Sequence, residues 1–309
     1  MLATNEPRPP FAAGIWVPIV TPFQWDEVDY RATARLVRRL AQTGVAGLVA
    51  CGTTGEGPAL TTFEKARLLD VILEAAGDMP VLLALEGANT AKLVADLREI
   101  GPWPVRGYLL PAPSYVRPAE DGVRRHLLTV ADAADGPVMI YDIPARTGCT
   151  LSIDLIARLA ETGPFPAIKA CGFDEQRLTA LVGIPNLTVF SGDDTALFRA
   201  LQLGAQGAVS ASANVISNAL VALYEACLGL HPARAERLWH QLLPITQLLF
   251  AEPNPAPVKA VLAAQGLLDD GLRLPLTPCT AGLRNRLAAL VNAVNRPYDA
   301  IEPPARHWA

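Results

Sequence analysis

The feature that most constrains this chain is a regular alternation of short apolar runs with longer amphipathic stretches. The apolar runs occupy residues 15–21, 48–51, 81–85, 107–110, 138–141, 165–169, 187–191 and 207–210. Helical spacing of apolar residues marks the segments between them, at 29–42, 63–76, 90–99, 119–134, 153–161, 174–181 and 194–203. Continuous apolar runs are typical of parallel strands that are covered on both faces. Eight such units favour an α/β fold of the (β/α)8 TIM barrel type over an open doubly wound sheet.

Beyond residue 210 the pattern becomes wholly helical. We predict helices at 218–229, 232–250, 258–265 and 280–294, interrupted by two proline-rich segments. The first of these helices would complete the barrel, and the others would form a C-terminal helical extension. The expected organisation is a flexible arm at 1–10, a barrel at 11–230, the extension at 231–298 and a loose tail at 299–309.

Composition argues against several classes of function. The chain is 51% hydrophobic with a net charge of −4 and no run of basic residues, so nucleic acid is not an expected partner. No uncharged apolar run is long enough to span a membrane, and the polar, proline-rich start lacks the features of a signal peptide. We therefore expect a cytoplasmic protein.

The sequence also lacks the patterns of common metal and cofactor sites. Its five cysteines show no C-x-x-C spacing, and its four histidines fall in no ligand or triad motif. No G-x-G-x-x-G follows the first apolar run, which argues against a dinucleotide site. We expect neither a metal nor a cofactor.

One lysine stands out among the four in the chain. Lys65 and Lys92 fall in amphipathic helical stretches, and Lys259 opens a helix after a proline-rich turn. Lys169 alone ends an apolar strand. Lysine is seldom buried without a partner. Either its amine has a pKa lowered by desolvation and attacks a carbonyl group, or its side chain extends from the strand to the surface.

A loop rich in glycine and threonine follows the second apolar run, where Gly52, Thr53 and Thr54 lie. The active sites of such barrels gather at the carboxyl ends of the strands. Glycine lets backbone amides approach an anion closely, and the loop lacks the lysine of a phosphate-binding motif, so a carboxylate is a plausible ligand. The alternative is a tight turn in which a threonine caps the next helix.

Further polar residues follow the fifth and seventh runs. Tyr141 is placed to exchange a proton beside Lys169, or it is an ordinary core aromatic. Arg146 either binds a carboxylate through two hydrogen bonds or lies on the surface. For Asp193 and Asp194, a helix N-cap is favoured over a metal pair.

Taken together, these residues resemble a known family. The matching motifs are G-T-T-G-E at 52–56, Y-D-I-P-A-R-T-G at 141–148, I-K-A at 168–170, S-G-D-D at 191–194, G-A-V-S at 207–210 with A-N-V at 213–215, E-P-N-P-A-P-V-K at 252–259 and L-R-L-P-L-T-P at 272–278. In order and over nearly the whole chain, they resemble the dihydrodipicolinate synthase / N-acetylneuraminate lyase family of pyruvate-dependent class I aldolases. The arginine in the second motif is typical of the dihydrodipicolinate synthase branch.

The resemblance implies how pyruvate is bound and activated. Lys169 would form a Schiff base with the ketone of pyruvate, and the loop of Gly52, Thr53 and Thr54 would hold the carboxylate. The carbonyl group of Val209 would line the same site. Loss of a methyl proton would then give an enamine.

The resemblance also implies the second half of the reaction. The enamine would attack the aldehyde of aspartate 4-semialdehyde, giving 4-hydroxy-tetrahydrodipicolinate on the route to lysine and diaminopimelate. Tyr141, Thr53 and Tyr115 would relay protons, and Arg146 would bind the semialdehyde carboxylate. A homotetramer built from two dimers is implied, with Tyr115 crossing a subunit interface.

Some positions depart from the family pattern. Glu86 follows the third strand, where G-T-G is usual, and Asp142 and Ala145 replace Asn and Ser beside Tyr141. Negative charge near the mouth keeps open an alternative in which the enzyme takes another aldehyde or a sugar acid. A third possibility is a catalytically inactive binding or assembly protein, against which the intact motif residues argue.

The lysine-binding site of feedback-sensitive members is also altered. Asn89 is retained. The usual serine, two histidines, glutamate and tyrosine are replaced by Gly57, Thr62, Lys65, Leu93 and Ser114. We therefore expect lysine not to inhibit the enzyme.

Overall fold

The computed structural model describes residues 10–101 and 103–294. The predicted arm at 1–10, except for Pro10, and the predicted tail at 299–309 lie outside the described residues, as does the end of the predicted extension. Pro10 accepts a hydrogen bond through its carbonyl group from Arg106 Nε (2.8 Å).

Eight of the described strands close into a parallel barrel. In chain order the strands are β1 (Gly14–Pro18), β2 (Phe23–Gln24), β3 (Glu27–Val28), β4 (Gly47–Ala50), β5 (Val81–Ala84), β6 (Gly107–Pro111), β7 (Val138–Asp142), β8 (Ala167–Ala170), β9 (Thr188–Ser191) and β10 (Gly207–Val209). The order around the barrel is β1-β10-β9-β8-β7-β6-β5-β4, and β4 pairs again with β1. The predicted TIM barrel is confirmed. The short hairpin β2–β3 was not predicted.

Helices alternate with the barrel strands and then continue alone. They are α1 (Tyr30–Leu40), α2 (Thr62–Ala76), α3 (Thr90–Ile100), α4 (Glu120–Ala133), α5 (Pro144–Thr147), α6 (Ile153–Thr162), α7 (Glu175–Val182), α8 (Leu197–Gln202), α9 (Ala213–Leu228), α10 (Pro232–Leu249), α11 (Ala256–Ala264) and α12 (Ala281–Val294). Helix α9 packs on β1 and on α10, while α11 packs on α12 and α9. The predicted C-terminal helices are therefore present. Within the described ranges, no helix is both long and apolar enough to cross a bilayer.

Side-chain caps explain where many of the helices begin. Asp29, Asn89, Ser152 and Asp174 each accept a hydrogen bond from a backbone N–H in the first turn of α1, α3, α6 and α7. Thr61 and the N3 residue of α2 form a reciprocal capping box. These contacts satisfy N–H groups that have no partner within the helix.

Both faces of the strands are buried, as their apolar sequences indicate. The barrel interior contains at least one buried residue from each of the eight barrel strands, together with Phe11 before β1. These residues are Phe11, Trp16, Val49, Leu82, Ala84, Leu109, Met139, Tyr141, Ala167, Phe190 and Val209. A second and larger cluster lies between the strands and the helices. Since side chains alternate between faces, Tyr141 and Lys169, each two residues beyond an interior residue, also point into the barrel.

Two predicted helices differ from the observed ones. Helix α9 begins at Ala213 instead of 218, because the Asn214 side chain bonds to the carbonyl groups of Pro18 (2.9 Å) and Ala211 (3.0 Å) and fixes an additional first turn. The backbone is non-helical at Ile216 (φ −121°, ψ 36°), so a kink separates this turn from the helix that the sequence predicts. The segment predicted as one helix at 194–203 is a 3-10 turn at Asp194–Ala196 followed by α8.

Candidate active site

Lys169 lies at the carboxyl end of β8 and is buried, with 7% of its surface exposed. It is the register partner of Tyr141 on β7. Its amine nitrogen lies 4.2 Å from the centre of the tyrosine ring. The side chain therefore does not extend to the surface, and the buried-amine interpretation is the one that its position supports.

Space for the lysine side chain depends on Gly192. A Cβ at this position would lie 2.9 Å from Lys169 Cε and 2.2 Å from Cys171 Sγ. The glycine after β9 therefore lets the backbone approach the lysine closely.

Burial has the largest influence on the pKa of the Lys169 amine and lowers it, because a buried ammonium loses its water. Negative charge on Tyr141 and Cys171 acts in the opposite direction, and the net direction is upward, contrary to the expectation from sequence. Burial also raises the pKa of Tyr141, and raises that of Cys171 to about 12, so both groups are neutral near neutral pH. Asp194 also places negative charge near the amine and acts in the upward direction. Desolvation thus favours the nucleophilic free amine of Lys169, and the neighbouring acidic groups oppose it.

The loop after β4 is held in a tight conformation. Thr53 to Gly55 form a 3-10 turn in which neither threonine side chain caps the turn, so the capping alternative is wrong. The amide of Gly57 bonds to the carbonyl group of Gly52 (3.1 Å). A Cβ on Gly57 would lie 1.9 Å from the carbonyl oxygen of Cys51, so only glycine fits. The Thr54 hydroxyl accepts a hydrogen bond from Asn254 Nδ2 (2.9 Å).

A cavity of about 580 Å³ opens at the carboxyl ends of the strands. It brings together six of the predicted site residues, namely Thr53, Thr54, Tyr141, Arg146, Lys169 and Val209. Gly52 is buried and does not line the cavity, although it shapes the loop that does. The exposed side chain of Arg146 lies on α5, a short helix that the sequence did not predict.

Tyr115 is a predicted site residue that lies away from the other site residues in the single chain. Its side chain is 93% exposed, its φ is 70°, and it lines neither this cavity nor the adjoining one. Tyr115 therefore contributes to neither cavity within the single chain.

The predicted N-cap role of the aspartate pair is wrong. Asp193 makes no side-chain capping bond to the turn that follows it. Asp194 is buried and accepts hydrogen bonds from the Ser210 hydroxyl and from the amides of Ala211 (3.3 Å) and Ser212 (2.9 Å). It therefore joins the end of β9 to the segment between β10 and α9.

Asp142 forms an ion pair with Arg177 outside the cavity. Its carboxylate is buried, lies 2.5 Å from Arg177 Nη2 and accepts a hydrogen bond from the Leu151 amide (3.3 Å). Burial raises the pKa of Asp142, and the hydrogen bond from Arg177 opposes that change. Asp142 does not line the cavity, so its charge gives no reason to expect a different substrate.

A buried ion pair that sequence reasoning missed lies next to the loop of Gly52, Thr53 and Thr54, which we call the threonine loop. The Lys259 ammonium contacts the Glu56 carboxylate, and neither side chain is more than 1% exposed. Lys259 also donates to the Gly271 carbonyl (2.8 Å) and lies 4.3 Å from the centre of the Phe23 ring. The Arg273 amide donates to the second carboxylate oxygen (3.1 Å). The apolar residues on both sides of Lys259 were the available signal that this lysine is buried.

Comparisons with known proteins show which family this chain resembles. The sequence profile of the dihydrodipicolinate synthetase family matches residues 11–294. A 4-hydroxy-tetrahydrodipicolinate synthase from Sorangium cellulosum is 38% identical over 295 residues, covering 93% of this chain and 98% of that protein. 4-Hydroxy-tetrahydrodipicolinate synthase 2 of Clostridium acetobutylicum is 32% identical over 278 residues, covering 89% of this chain and 97% of that protein.

A solved structure shows the same fold. The chloride-inhibited dihydrodipicolinate synthase from Acinetobacter baumannii, crystallised with pyruvate, superimposes with a TM-score of 0.87 at 31% identity. The match covers 92% of this chain and 99% of that one.

Proposed function

Since this chain belongs to the dihydrodipicolinate synthetase family, we propose that it condenses pyruvate with aspartate 4-semialdehyde to give 4-hydroxy-tetrahydrodipicolinate. The observation that carries this proposal is the position of Lys169. Its buried amine shares one cavity with Tyr141, the Thr53–Thr54 loop and Arg146. This set supplies a nucleophile, a proton donor and two sites for carboxylates.

The first half of the reaction uses the part of the cavity that Lys169, Thr53 and Thr54 line. The pyruvate carboxylate lies against the threonine loop, where Thr54 is oriented by Asn254. The free amine of Lys169 adds to the ketone carbon, and the oxygen leaves as water to give the Schiff base. Tyr141, beside the amine, passes protons to and from the departing oxygen. Loss of a proton from the methyl carbon then gives the enamine.

The second half joins the two substrates. Arg146 binds the carboxylate of the semialdehyde, and the enamine carbon attacks its aldehyde carbon to form a C–C bond. The substrate amino group, as the free amine, then attacks the imine carbon and closes the ring. A proton passes from this nitrogen to the Lys169 nitrogen, the bond from the carbon to Lys169 breaks, and the lysine amine is released.

The proposed assembly is a homotetramer made of two dimers. The exposure of Tyr115 and its positive φ support this arrangement, since a strained and exposed tyrosine is well placed to meet a second chain. Tyr115 then completes the proton relay with Thr53 and Tyr141 across the interface. Residues 11–230 and the helices from 231 onward are proposed to be the barrel and its extension, in a cytoplasmic enzyme.

A coupled assay tests this function. Purified protein is mixed with pyruvate, aspartate 4-semialdehyde and a reductase that consumes the product with NADPH. We expect loss of NADPH absorbance that requires both substrates and is abolished by Lys169→Arg. A protein that forms an imine with pyruvate but shows no turnover with this aldehyde would instead be an aldolase for another aldehyde or a sugar acid.

A further inference from the structure

A second cavity of about 250 Å³ adjoins the first and contains opposite charges. Thr53, Tyr141, Ile143 and Arg146 line both cavities. Glu86 lines the smaller one. The two cavities therefore share a wall formed by these residues, and Lys169 lines the larger one.

Glu86 is held in place but not paired with a cation. It follows β5, is half-buried, and accepts a hydrogen bond from the Thr53 hydroxyl at Oε1 (3.1 Å). Among the ion pairs of the described residues, none includes Glu86 or Arg146. The cavity thus presents a carboxylate and a guanidinium that are both available to a ligand.

The surroundings of Glu86 bear on its charge. Burial raises the pKa of Glu86, while the Thr53 hydrogen bond and the positive charges of Lys65, Arg146 and Lys169 lower it. The ammonium group of a ligand would add positive charge beside the carboxylate and favour its ionised form.

We propose that Glu86 and Arg146 form a subsite for an α-amino acid head group, in which Glu86 binds the ammonium and Arg146 the carboxylate. The assignment of the ligand as aspartate 4-semialdehyde rests on the proposed function. The new element is Glu86, which gives selectivity for an aldehyde that carries an amino group. An α-amino acid presents both charges on one carbon, which suits a small cavity lined by one group of each sign.

Two other roles for Glu86 predict different effects of neutralising this residue. A carboxylate that repels a dianionic substrate should improve binding when it is neutralised. A residue that only positions Thr53 should affect all second substrates alike. A direct ion pair with the ammonium affects only compounds that contain an amino group, by an amount typical of a charged hydrogen bond.

The test compares two aldehydes that differ only in the amino group. Aspartate 4-semialdehyde is assayed as substrate and succinate semialdehyde as inhibitor, with the wild-type protein and with Glu86→Gln, which keeps the shape of the side chain. We expect Glu86→Gln to raise KM for aspartate 4-semialdehyde about 10- to 100-fold, as loss of a charged hydrogen bond predicts. Inhibition by succinate semialdehyde should change less than about threefold. Borohydride trapping of pyruvate on Lys169 checks that the pyruvate site remains intact.

Other outcomes overturn the subsite. If Glu86→Gln weakens the binding of both aldehydes equally, Glu86 acts by positioning Thr53. If KM for aspartate 4-semialdehyde is unchanged or lower, Glu86 does not bind the substrate ammonium. Failure of the proposed function is seen separately, as absence of turnover by the wild-type protein. In that case the subsite is tested by calorimetry on pyruvate-loaded protein with homoserine and 4-hydroxybutyrate, which lack the aldehyde. A preference for homoserine that is lost in Glu86→Gln supports the subsite, and absence of a preference overturns it.

Discussion

Lys169 and Tyr141 are register partners on neighbouring strands, and the lysine amine lies 4.2 Å from the centre of the tyrosine ring. Both side chains project into the barrel at its carboxyl end. Burial keeps the phenol neutral near neutral pH, so it can donate a proton to the oxygen that leaves as the imine forms. The two strands thus hold the nucleophile and its proton donor next to each other.

Removal of the Tyr141 hydroxyl should slow the reaction without unfolding the protein. Tyr141→Phe retains the ring that packs in the barrel, so the free energy of unfolding should change by less than about 1 kcal/mol. We expect kcat to fall about 10²- to 10⁴-fold, the usual contribution of a positioned proton donor. Steady-state kinetics and thermal unfolding check both statements. Unchanged kcat in a folded variant would remove Tyr141 from the proton transfers.

Sequence reasoning predicted the barrel and most of its mouth because both follow from local patterns. Buried parallel strands read as apolar runs, and the residues that follow them converge in space. That logic placed Lys169, Tyr141 and the threonine loop together. It did not locate Lys259 beside Glu56, or Asp194 beside Ser210, because these contacts join residues distant along the chain. Local patterns contain no information about such partners.

The buried pair between Lys259 and Glu56 should contribute strongly to stability. Burial lowers the pKa of Lys259 to about 8 although Glu56 acts in the opposite direction, so the buried ammonium depends on its partner. Lys259→Met leaves Glu56 buried and unpaired, so we expect a loss of about 3–5 kcal/mol in the free energy of unfolding. Because Glu56 lies next to the threonine loop, KM for pyruvate should also rise.

A double-mutant cycle isolates this pair. Glu56→Gln combined with Lys259→Met should lose less than the sum of the single changes. The matched control is Lys92→Met, which removes a lysine whose partner Asp96 is accessible to solvent and should change stability by less than about 1 kcal/mol. Additive losses in the cycle would show that the two side chains do not stabilise each other.

The contact between Glu64 and Arg273 should make stability depend on pH in acid. The hydrogen bond from Arg273 lowers the pKa of Glu64 from 4.5 to about 2. The stabilisation is thus present above 4.5 and is lost as the pH falls towards 2. Allowing for partial exposure to solvent, we expect Glu64→Gln to lose about 1–2 kcal/mol at neutral pH. Urea unfolding between neutral pH and pH 3 should show this difference narrowing, whereas a constant difference would contradict the assignment.

Lysine should not inhibit the enzyme. The position of the usual glutamate is Leu93, which is buried against Gly87, and a histidine position is occupied by the cation Lys65. A site without the glutamate and with an added positive charge binds another cation poorly. Millimolar lysine added to the coupled assay should leave the rate unchanged. A clear fall in rate at that concentration would contradict this expectation.

The central claim is that Lys169 forms the imine with pyruvate. The most direct measurement is treatment of the protein with pyruvate and borohydride, followed by peptide mass spectrometry. We predict a reduced carboxyethyl group on Lys169 that is absent from Lys169→Arg and present in the control Lys65→Arg. A protein that yields no adduct, or that carries the group on another lysine, would contradict the account.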